Sequence, residues 1–261
     1  MSTVKTLSQT LLIVIRMKLN YKKSGSGPPL VILHGLFGSL DNWFSIAKEL
    51  VEHYTLYLVD QRNHGDSPHA EEWNYAVMVE DLKELLDDEG LEKIYLMGHS
   101  MGGGCSFIAA SRNPAVTVIA NFAAAETNPS AIAAAGNITV PALVFGGSKD
   151  CVAGPSGNQT PMYNALASDC KSLVIITDGS HCQFGESNTL CNFGESTSCP
   201  FASYISRSAQ HTKTFQYLNP FLKFYLKGDC SAWPVYQQLL TSPTGATIQN
   251  SCNYQLPVAN I

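Results

Sequence analysis

The residue best suited to chemistry is Ser100, which stands between two glycines in the run Gly98-His99-Ser100-Met101-Gly102. An apolar run at residues 94–97 predicts a buried strand before it, and small and apolar residues at 105–111 predict a packed helix after it. In a sharp turn between such elements, a strained serine presents its hydroxyl group, and the glycines avoid collision with neighbouring backbone. The pattern predicts a nucleophilic serine, with an ordinary glycine-rich turn as the alternative.

A serine hydroxyl is a weak nucleophile at neutral pH, so it needs a base within hydrogen-bond reach and an acid that orients the base. Proteins with a serine on this kind of turn carry the acid and then the histidine later in the chain. Five of the seven histidines precede Ser100, which leaves His181 and His211. His181 follows a predicted strand in a glycine-containing loop, so we expect it to be the base.

Two acidic residues follow predicted strands between Ser100 and His181. Asp150 comes after the later of these strands, and we expect it to be the orienting acid. Glu126 comes after the strand before and is the alternative.

An acyl-transfer site also needs donors for the developing oxyanion, each worth on the order of 3 kcal/mol of the activation barrier. The backbone N–H of Met101, at the start of the predicted helix, is one candidate. The N–H of Leu36, in the loop after the strand at 30–33, is the second, with Phe37 as the alternative. Phe37, Trp43 and Phe184 are expected to contact substrate, with a place in the core as the alternative interpretation.

Alternating strand and helix patterns predict the elements that position these residues. Apolar runs predict strands at residues 30–33, 55–60, 94–97, 116–120, 140–145 and 173–176, the last being the final strand, and alternation predicts one more at 17–21. Helical spacing is found at residues 41–53, 76–89, 105–111 and 215–226. We therefore expect an α/β fold with a mostly parallel central sheet and helices on both faces.

The domain organisation follows from the absence of repeats and linker-like composition. We expect one domain at residues 17–261, preceded by an N-terminal extension at residues 1–16. The apolar stretch at 10–15 is too short to span a bilayer and lacks a cleavage site after it. Only about twenty residues separate the strands at 116–120 and 140–145, so a large lid has no room there.

The composition narrows the classes of partner. A formal net charge of -5 argues against nucleic acid, which normally requires a clustered positive surface. The spacing of cysteines and histidines matches no structural zinc motif, and we expect neither metal nor cofactor. All eight cysteines follow Ser100, so the first part of the chain has the composition of a cytosolic protein and the second that of a secreted one. The compartment and the oligomeric state stay open.

Three motifs carry a family resemblance: His-Gly-Leu-Phe-Gly-Ser at 34–39, Asp-Gln-Arg-Asn-His-Gly-Asp-Ser at 60–67 and Gly-His-Ser-Met-Gly-Gly at 98–103. With them, the N-terminal part resembles small intracellular esterases and thioesterases of the α/β-hydrolase superfamily. From Gly104 on, the chain resembles secreted dienelactone-hydrolase-like and polyester-hydrolase-like enzymes, through residues 146–151 and 179–182. Two explanations fit this difference between the two parts of the chain. One is recombination of two families near Ser100, and the other is a secreted protein whose bridges lie only in its C-terminal loops.

The second resemblance, together with proximity in sequence, suggests three local disulfide bridges: Cys151–Cys170, Cys191–Cys199 and Cys230–Cys252. Cys105 and Cys182 are left over, either as buried thiols beside the site or as partners of each other. Each bridge formed would add about 2 to 4 kcal/mol to the free energy of unfolding.

The resemblance and the ordered candidates imply a serine esterase that hydrolyses carboxylic esters of short to medium acyl chains. Ser100 would attack the ester, His181 would carry the proton and Asp150 would orient His181. The expected partner is a small-molecule ester, with no nucleic acid and no membrane span. The alternatives are a non-catalytic binding protein on the same fold, and a cofactor-free haloperoxidase or C–C hydrolase.

Overall fold

A computed structural model describes residues 16–252, so all but the last residue of the expected N-terminal extension lies outside the described range. The described chain builds one eight-stranded sheet. Its strands are β1 (Tyr21–Ser24), β2 (Pro29–Leu33), β3 (Thr55–Val59), β4 (Ile94–His99), β5 (Val116–Phe122), β6 (Ala142–Gly147), β7 (Cys170–Ile176) and β8 (Ala246–Cys252).

The strand order is β1-β3-β2-β4-β5-β6-β7-β8. The six strands from β3 to β7 in this order are parallel, and the two edge strands, β1 and β8, pair antiparallel with their neighbours. The central strands are buried along most of their length because their apolar runs face helices on both sides. The expected mostly parallel sheet is confirmed.

The described part of the chain has eight α-helices, seven of which pack on the two faces of the sheet. They are α1 (Phe44–Leu50), α2 (Tyr75–Asp88), α3 (Met101–Ala110), α4 (Ala131–Ala135), α5 (Gln159–Ala165), α6 (Thr189–Ser198), α7 (Arg207–Lys227) and α8 (Ala232–Thr241). Side chains of α2, α3, α4 and α5 form one hydrophobic core with the sheet, and those of α1, α7 and α8 form another. Between β5 and β6 lies only the short helix α4, so no large lid is inserted there.

The ends of α2 show how local sequence sets an element. The Asn74 side chain caps its first turn by accepting a hydrogen bond from the N–H of Val77 at 3.0 Å. After the last turn, Gly90 adopts a φ of 63°, a left-handed conformation that glycine reaches at little cost. The helix therefore ends where the sequence predicted.

A buried ion pair joins α2 to the polar turn at residues 60–67. Arg62 Nη2 donates to Asp81 Oδ1 at 2.7 Å, and Arg62 Nε donates to the other oxygen of the same carboxylate. Both side chains are buried, with 9% and 5% of their surface exposed, so each charge depends on its partner for compensation. The pair raises the pKa of Arg62, and it anchors the turn against the core helix.

Two predicted strands need correction. The strand expected at 17–21 lies at Tyr21–Ser24, and β7 is not the last strand, because Ala246–Cys252 returns to pair with it as β8. Most residues of β8 are at least partly exposed, since it is an edge strand. Its sequence therefore has no apolar run that would predict it.

The predicted disulfide pairing is wrong. The bridges join Cys151 to Cys199, Cys170 to Cys252 and Cys182 to Cys191, while Cys105 and Cys230 are free. Cys105 and Cys182 therefore do not bridge each other. The pairing follows from the topology, because the antiparallel register of β7 and β8 places Cys170 opposite Cys252.

We predict that the double variant Cys170→Ser, Cys252→Ser is markedly less stable than the wild type. The bridge spans 82 residues, and closing a loop of that size removes about 4 to 5 kcal/mol of chain entropy from the unfolded state. Urea unfolding under oxidising conditions measures the difference. Cys230→Ser, which removes an exposed free thiol, is the control. Equal stability of all three proteins would show that the bridge does not contribute.

Candidate active site

Ser100 lies in the turn between β4 and α3, with a φ of 51° and a ψ of -116°. A non-glycine residue in this region carries strain on the order of 1 to 3 kcal/mol. Three backbone hydrogen bonds of 3.0 Å hold it: the N–H of Ser100 donates to Phe122 O, and its carbonyl accepts from the N–H groups of Gly104 and Ala125. The neighbouring strand and helix thus fix the turn that presents the hydroxyl group.

The glycines around Ser100 are required by close packing. A Cβ on Gly98 would lie 2.2 Å from the carbonyl oxygen of Gly102, and one on Gly102 would lie 2.5 Å from the carbonyl oxygen of His34. Gly35 approaches from the next loop, where a Cβ would lie 3.2 Å from Ser100 Cβ. The contacts at Gly98 and Gly102 are the collisions that the sequence pattern predicts, and the close approach at Gly35 adds to them.

Asp150 and His181 form a buried hydrogen-bonded pair. His181 Nδ1 lies 2.8 Å from Asp150 Oδ2, and the two residues are 2% and 6% exposed. The N–H groups of Val152 and Ala153 donate to the other carboxylate oxygen, both at 2.8 Å. With both carboxylate oxygens accepting hydrogen bonds, His181 Nδ1 is the donor to Asp150, and Nε2 is left able to accept a proton.

The two alternatives for acid and base lie elsewhere. Glu126 hydrogen-bonds to Ser130 and accepts from the N–H of Ile132 at 2.9 Å, so its carboxylate caps the start of α4. His211 lies on α7, where burial lowers its pKa. Of the sequence candidates, the structure brings Asp150 and not Glu126 to His181.

Ser100 and His181 line one cavity at the carboxyl ends of the parallel strands. Its volume is about 40 Å³, and Gly35, Leu36, Trp43 and Asn188 also line it. A second cavity of about 100 Å³ adjoins it through Leu36, and its wall includes Trp73, Tyr75, Met78 and Met101. Met101 directly follows Ser100, so this mostly apolar second cavity opens beside the serine.

The residues expected to bind substrate occupy three different environments. Trp43 is 1% exposed and lines the first cavity. Phe37 is 59% exposed, with a φ of 61°. Phe184 is 1% exposed and packs against Phe122 and Phe145 in the core. Trp73, which follows the 60–67 turn, carried no signal in the sequence that marked it as a cavity residue.

The expected oxyanion donors flank the serine. Leu36 follows β2 and lines both cavities, and Met101 is the first residue of α3, where backbone N–H groups are free of helical partners. The positive end of the α3 dipole adds to the attraction for negative charge at this point. Their roles as oxyanion donors stay a prediction.

Two buried histidines support the site without having been assigned a role from sequence. His99 Nε2 donates to the carbonyl oxygen of His181 at 2.9 Å, and burial lowers its pKa to about 3. His34 Nε2 accepts from the N–H of Gln61 at 3.0 Å, and burial lowers its pKa to about 4. Both are therefore neutral near pH 7 and act through hydrogen bonds rather than charge.

Two disulfides adjoin the Asp150–His181 pair. Cys151 directly follows Asp150, and Cys182 directly follows His181. Both are bridged to α6, Cys182 to Cys191 near its start and Cys151 to Cys199 just beyond its end. The loops that carry Asp150 and His181 are thus covalently tied to one helix.

No metal or membrane-spanning element is found in the described range. Within residues 16–252, no three His, Cys, Asp or Glu side chains come together as ligands for a metal ion. In the same range, none of the helices combines the length and the apolar character that crossing a bilayer requires.

Comparison with known proteins agrees with this architecture. Residues 28–135 match a family model described as the alpha/beta hydrolase fold. Esterase YbfF of Escherichia coli is 44% identical over 92 residues, which cover 33% of this chain and 36% of that protein. A putative esterase/lipase of Haemophilus influenzae is 43% identical over 96 residues, covering 35% and 33%. The chain thus spans about a third of the length of the curated relatives it matches.

Solved structures match over more of the chain. An esterase from a marine microorganism shares 25% identity at a TM-score of 0.54, covering 69% of this chain and 98% of that one. A thermophilic esterase from Thermogutta terrifontis has a TM-score of 0.60 at 17% identity, covering 80% and 94%, and shows likeness of fold alone. Sheet order, serine turn and family model together show that this chain has the α/β-hydrolase fold.

We predict that His34 makes stability depend on pH. Its pKa is near 6.5 when unfolded and about 4 when folded, so unfolding takes up a proton between these values and stability falls as the pH falls through this window. This contributes a slope of about 1.4 kcal/mol per pH unit. His34→Gln, whose amide can keep one donor and one acceptor, should lose that contribution. Urea unfolding at pH 7 and pH 5 measures both proteins, and identical slopes would contradict the prediction.

Proposed function

We propose that this protein is a carboxylic ester hydrolase in which Ser100 is the nucleophile, His181 the base and Asp150 the orienting acid. One observation carries the proposal. His181, buried and joined to Asp150 at 2.8 Å, lines the same cavity as the serine on the strained turn. The printed names of the E. coli and H. influenzae relatives, esterase and putative esterase/lipase, support the same reaction class.

The proposed reaction begins when Ser100 Oγ attacks the ester carbonyl while His181 Nε2 takes its proton. Asp150 holds the imidazole in the required tautomer and stabilises the imidazolium ion. The negative charge on the tetrahedral oxygen is received by the N–H groups of Leu36 and Met101, each contributing on the order of 3 kcal/mol. The imidazolium then protonates the leaving alkoxide, and an acyl-enzyme remains.

Deacylation repeats these steps with water as the nucleophile. His181 removes a proton from the water, which attacks the acyl carbon, and the second tetrahedral intermediate expels Ser100 Oγ. The serine regains its proton from His181, and the carboxylic acid leaves. One ester and one water molecule are consumed, an alcohol and a carboxylic acid are released, and Ser100 and His181 return to their starting states.

The cavities support a preference for short to medium acyl chains. The mostly apolar space of about 100 Å³ beside Met101 is suited to a short hydrocarbon chain. Since only α4 lies between β5 and β6, no large lid extends that apolar surface. We propose that the partner is a small-molecule ester and that residues 17–261 form the domain that binds it.

Hydrolysis of p-nitrophenyl esters from acetate to palmitate tests this proposal. We expect wild-type turnover to be greatest for short and medium chains and to decline toward palmitate. Ser100→Ala should lower kcat by at least about 10⁴-fold, because it removes the nucleophile.

The control is the folded state of the variant, measured by circular dichroism and thermal unfolding. Activity that survives in a well-folded Ser100→Ala protein would refute the proposed nucleophile. A well-folded wild type with no activity on any ester would instead favour the binding-protein alternative.

A further inference from the structure

Helix α6 carries a buried carboxylate that the proposed mechanism does not use. Glu195 is 5% exposed. Within the described residues, no side-chain nitrogen of a Lys, Arg or His lies within 4.0 Å of its carboxylate. Because burying a charge without an ionic partner is costly, acidic side chains are rarely buried this way unless hydrogen bonds compensate. The interactions of Glu195 therefore call for an explanation.

Its partner is the backbone of His181. The N–H of His181 donates to Glu195 Oε1 at 2.6 Å, and the N–H of Cys182 points to the same oxygen at 3.4 Å. A hydrogen bond from an amide to a carboxylate is shorter and stronger than one between neutral groups. Glu195 thus holds the main chain of the residue proposed as the base.

Every polar group by which His181 can be fixed has a side-chain partner. Glu195 accepts from its N–H, His99 donates to its carbonyl at 2.9 Å, and Asp150 binds its Nδ1 at 2.8 Å. These three residues come from α6, from the end of β4 and from the loop after β6. With backbone and ring both held, only Nε2 is left for chemistry.

Helix α6 is itself held in place at both ends. Cys191 and Glu195 lie four residues apart on one face of the helix, and Cys199, just beyond its end, follows one turn later with its N–H donating to the Glu195 carbonyl at 2.8 Å. The two cysteines are bridged to Cys182 and Cys151, next to His181 and Asp150. The face that presents Glu195 is thus the face tied to both loops.

The segment after His181 is held by a cation. Arg207 Nη1 donates to the carbonyl oxygen of Cys182 at 2.7 Å and also to that of Gly185. The loop that carries the base therefore has a carboxylate on its N–H groups and a guanidinium on its carbonyl groups. This arrangement fixes the backbone from two directions.

We infer that Glu195 is a positioning residue that sets the place of His181 relative to Ser100. The inference rests on the proposed function, since it concerns the base of that reaction. Losing the bond would let the loop shift, and a displacement of about 1 Å in a reacting group lowers turnover on the order of 100-fold. Substrate binding would change little, because Glu195 does not line the cavity.

Three variants of Glu195 test this role. Glu195→Gln keeps an acceptor oxygen and should retain kcat within about threefold, whereas Glu195→Ala should lower kcat about 10- to 100-fold with KM unchanged within about twofold. Glu195→Asp keeps the charge but is one methylene too short, so it should resemble Glu195→Ala. Ser196→Ala, an exposed neighbour on the same helix, is the matched control.

A spectroscopic readout separates positioning from general damage and requires no substrate. The proton between His181 Nδ1 and Asp150 is expected as a resolved downfield NMR signal in the wild type and in Glu195→Gln. The signal should weaken or be lost in Glu195→Ala and Glu195→Asp. Thermal unfolding shows which variants are folded. If Glu195→Ala does not fold, the kcat and NMR signal of Glu195→Asp decide whether Glu195 positions His181.

The inference is overturned if folded Glu195→Ala or Glu195→Asp keeps the wild-type kcat and NMR signal, or if only KM changes. It is also overturned if Glu195→Gln is as impaired as Glu195→Ala. Failure of the proposed function gives a different result: the wild type is inactive, or Ser100→Ala remains active. In that case the NMR signal alone still decides whether Glu195 positions His181.

Discussion

The buried hydrogen bond between Asp150 and His181 is the interaction on which the rest of the site depends. It joins the loop after β6 to the loop after β7, and both must be held to within a few tenths of an ångström for a bond of 2.8 Å to persist. The parallel sheet brings the two loops to the same edge, where β4 also ends at Ser100. Helix α6 holds the two loops at this edge through two disulfides and the Glu195 carboxylate. Stability and site geometry are therefore coupled in this part of the chain.

The turn at Ser100 is held by close packing of the backbone rather than by covalent bridges. Its φ of 51° is strained, so the surrounding structure must leave it no alternative. Gly98 and Gly102 allow backbone segments to approach too closely for any other residue type, and Gly35 leaves room for the side chains of His99 and Ser100. The strain is sustained by the core that β4 and α3 build together, in which nearly every side chain is buried. The rigid turn at Ser100 and the tethered His181 thus meet at one cavity.

The sequence predicted the elements whose residues are buried, because burial imposes a pattern. The apolar runs of β2 to β7 predicted the sheet, and the amphipathic spacing predicted α2. The glycines on either side of Ser100 predicted its turn. The sequence did not predict α6, whose ten residues include Gly194 and several Ser and Thr, residue types of lower helix propensity. The disulfide pairing was also not predicted, because Cys151 and Cys199 are 48 residues apart and meet only after the loops assemble. The spacing of Cys191, Glu195 and Cys199 was a usable signal for one helix face.

Covalent labelling of the serine tests the central claim most directly. Wild-type protein incubated with a fluorophosphonate should gain one adduct, which peptide mass spectrometry should place on Ser100. The reaction should be absent in Ser100→Ala and much slower in His181→Ala, because the base is needed to activate the hydroxyl group. Labelling at another residue, or no labelling of folded wild-type protein, would contradict the assignment of Ser100 as the nucleophile.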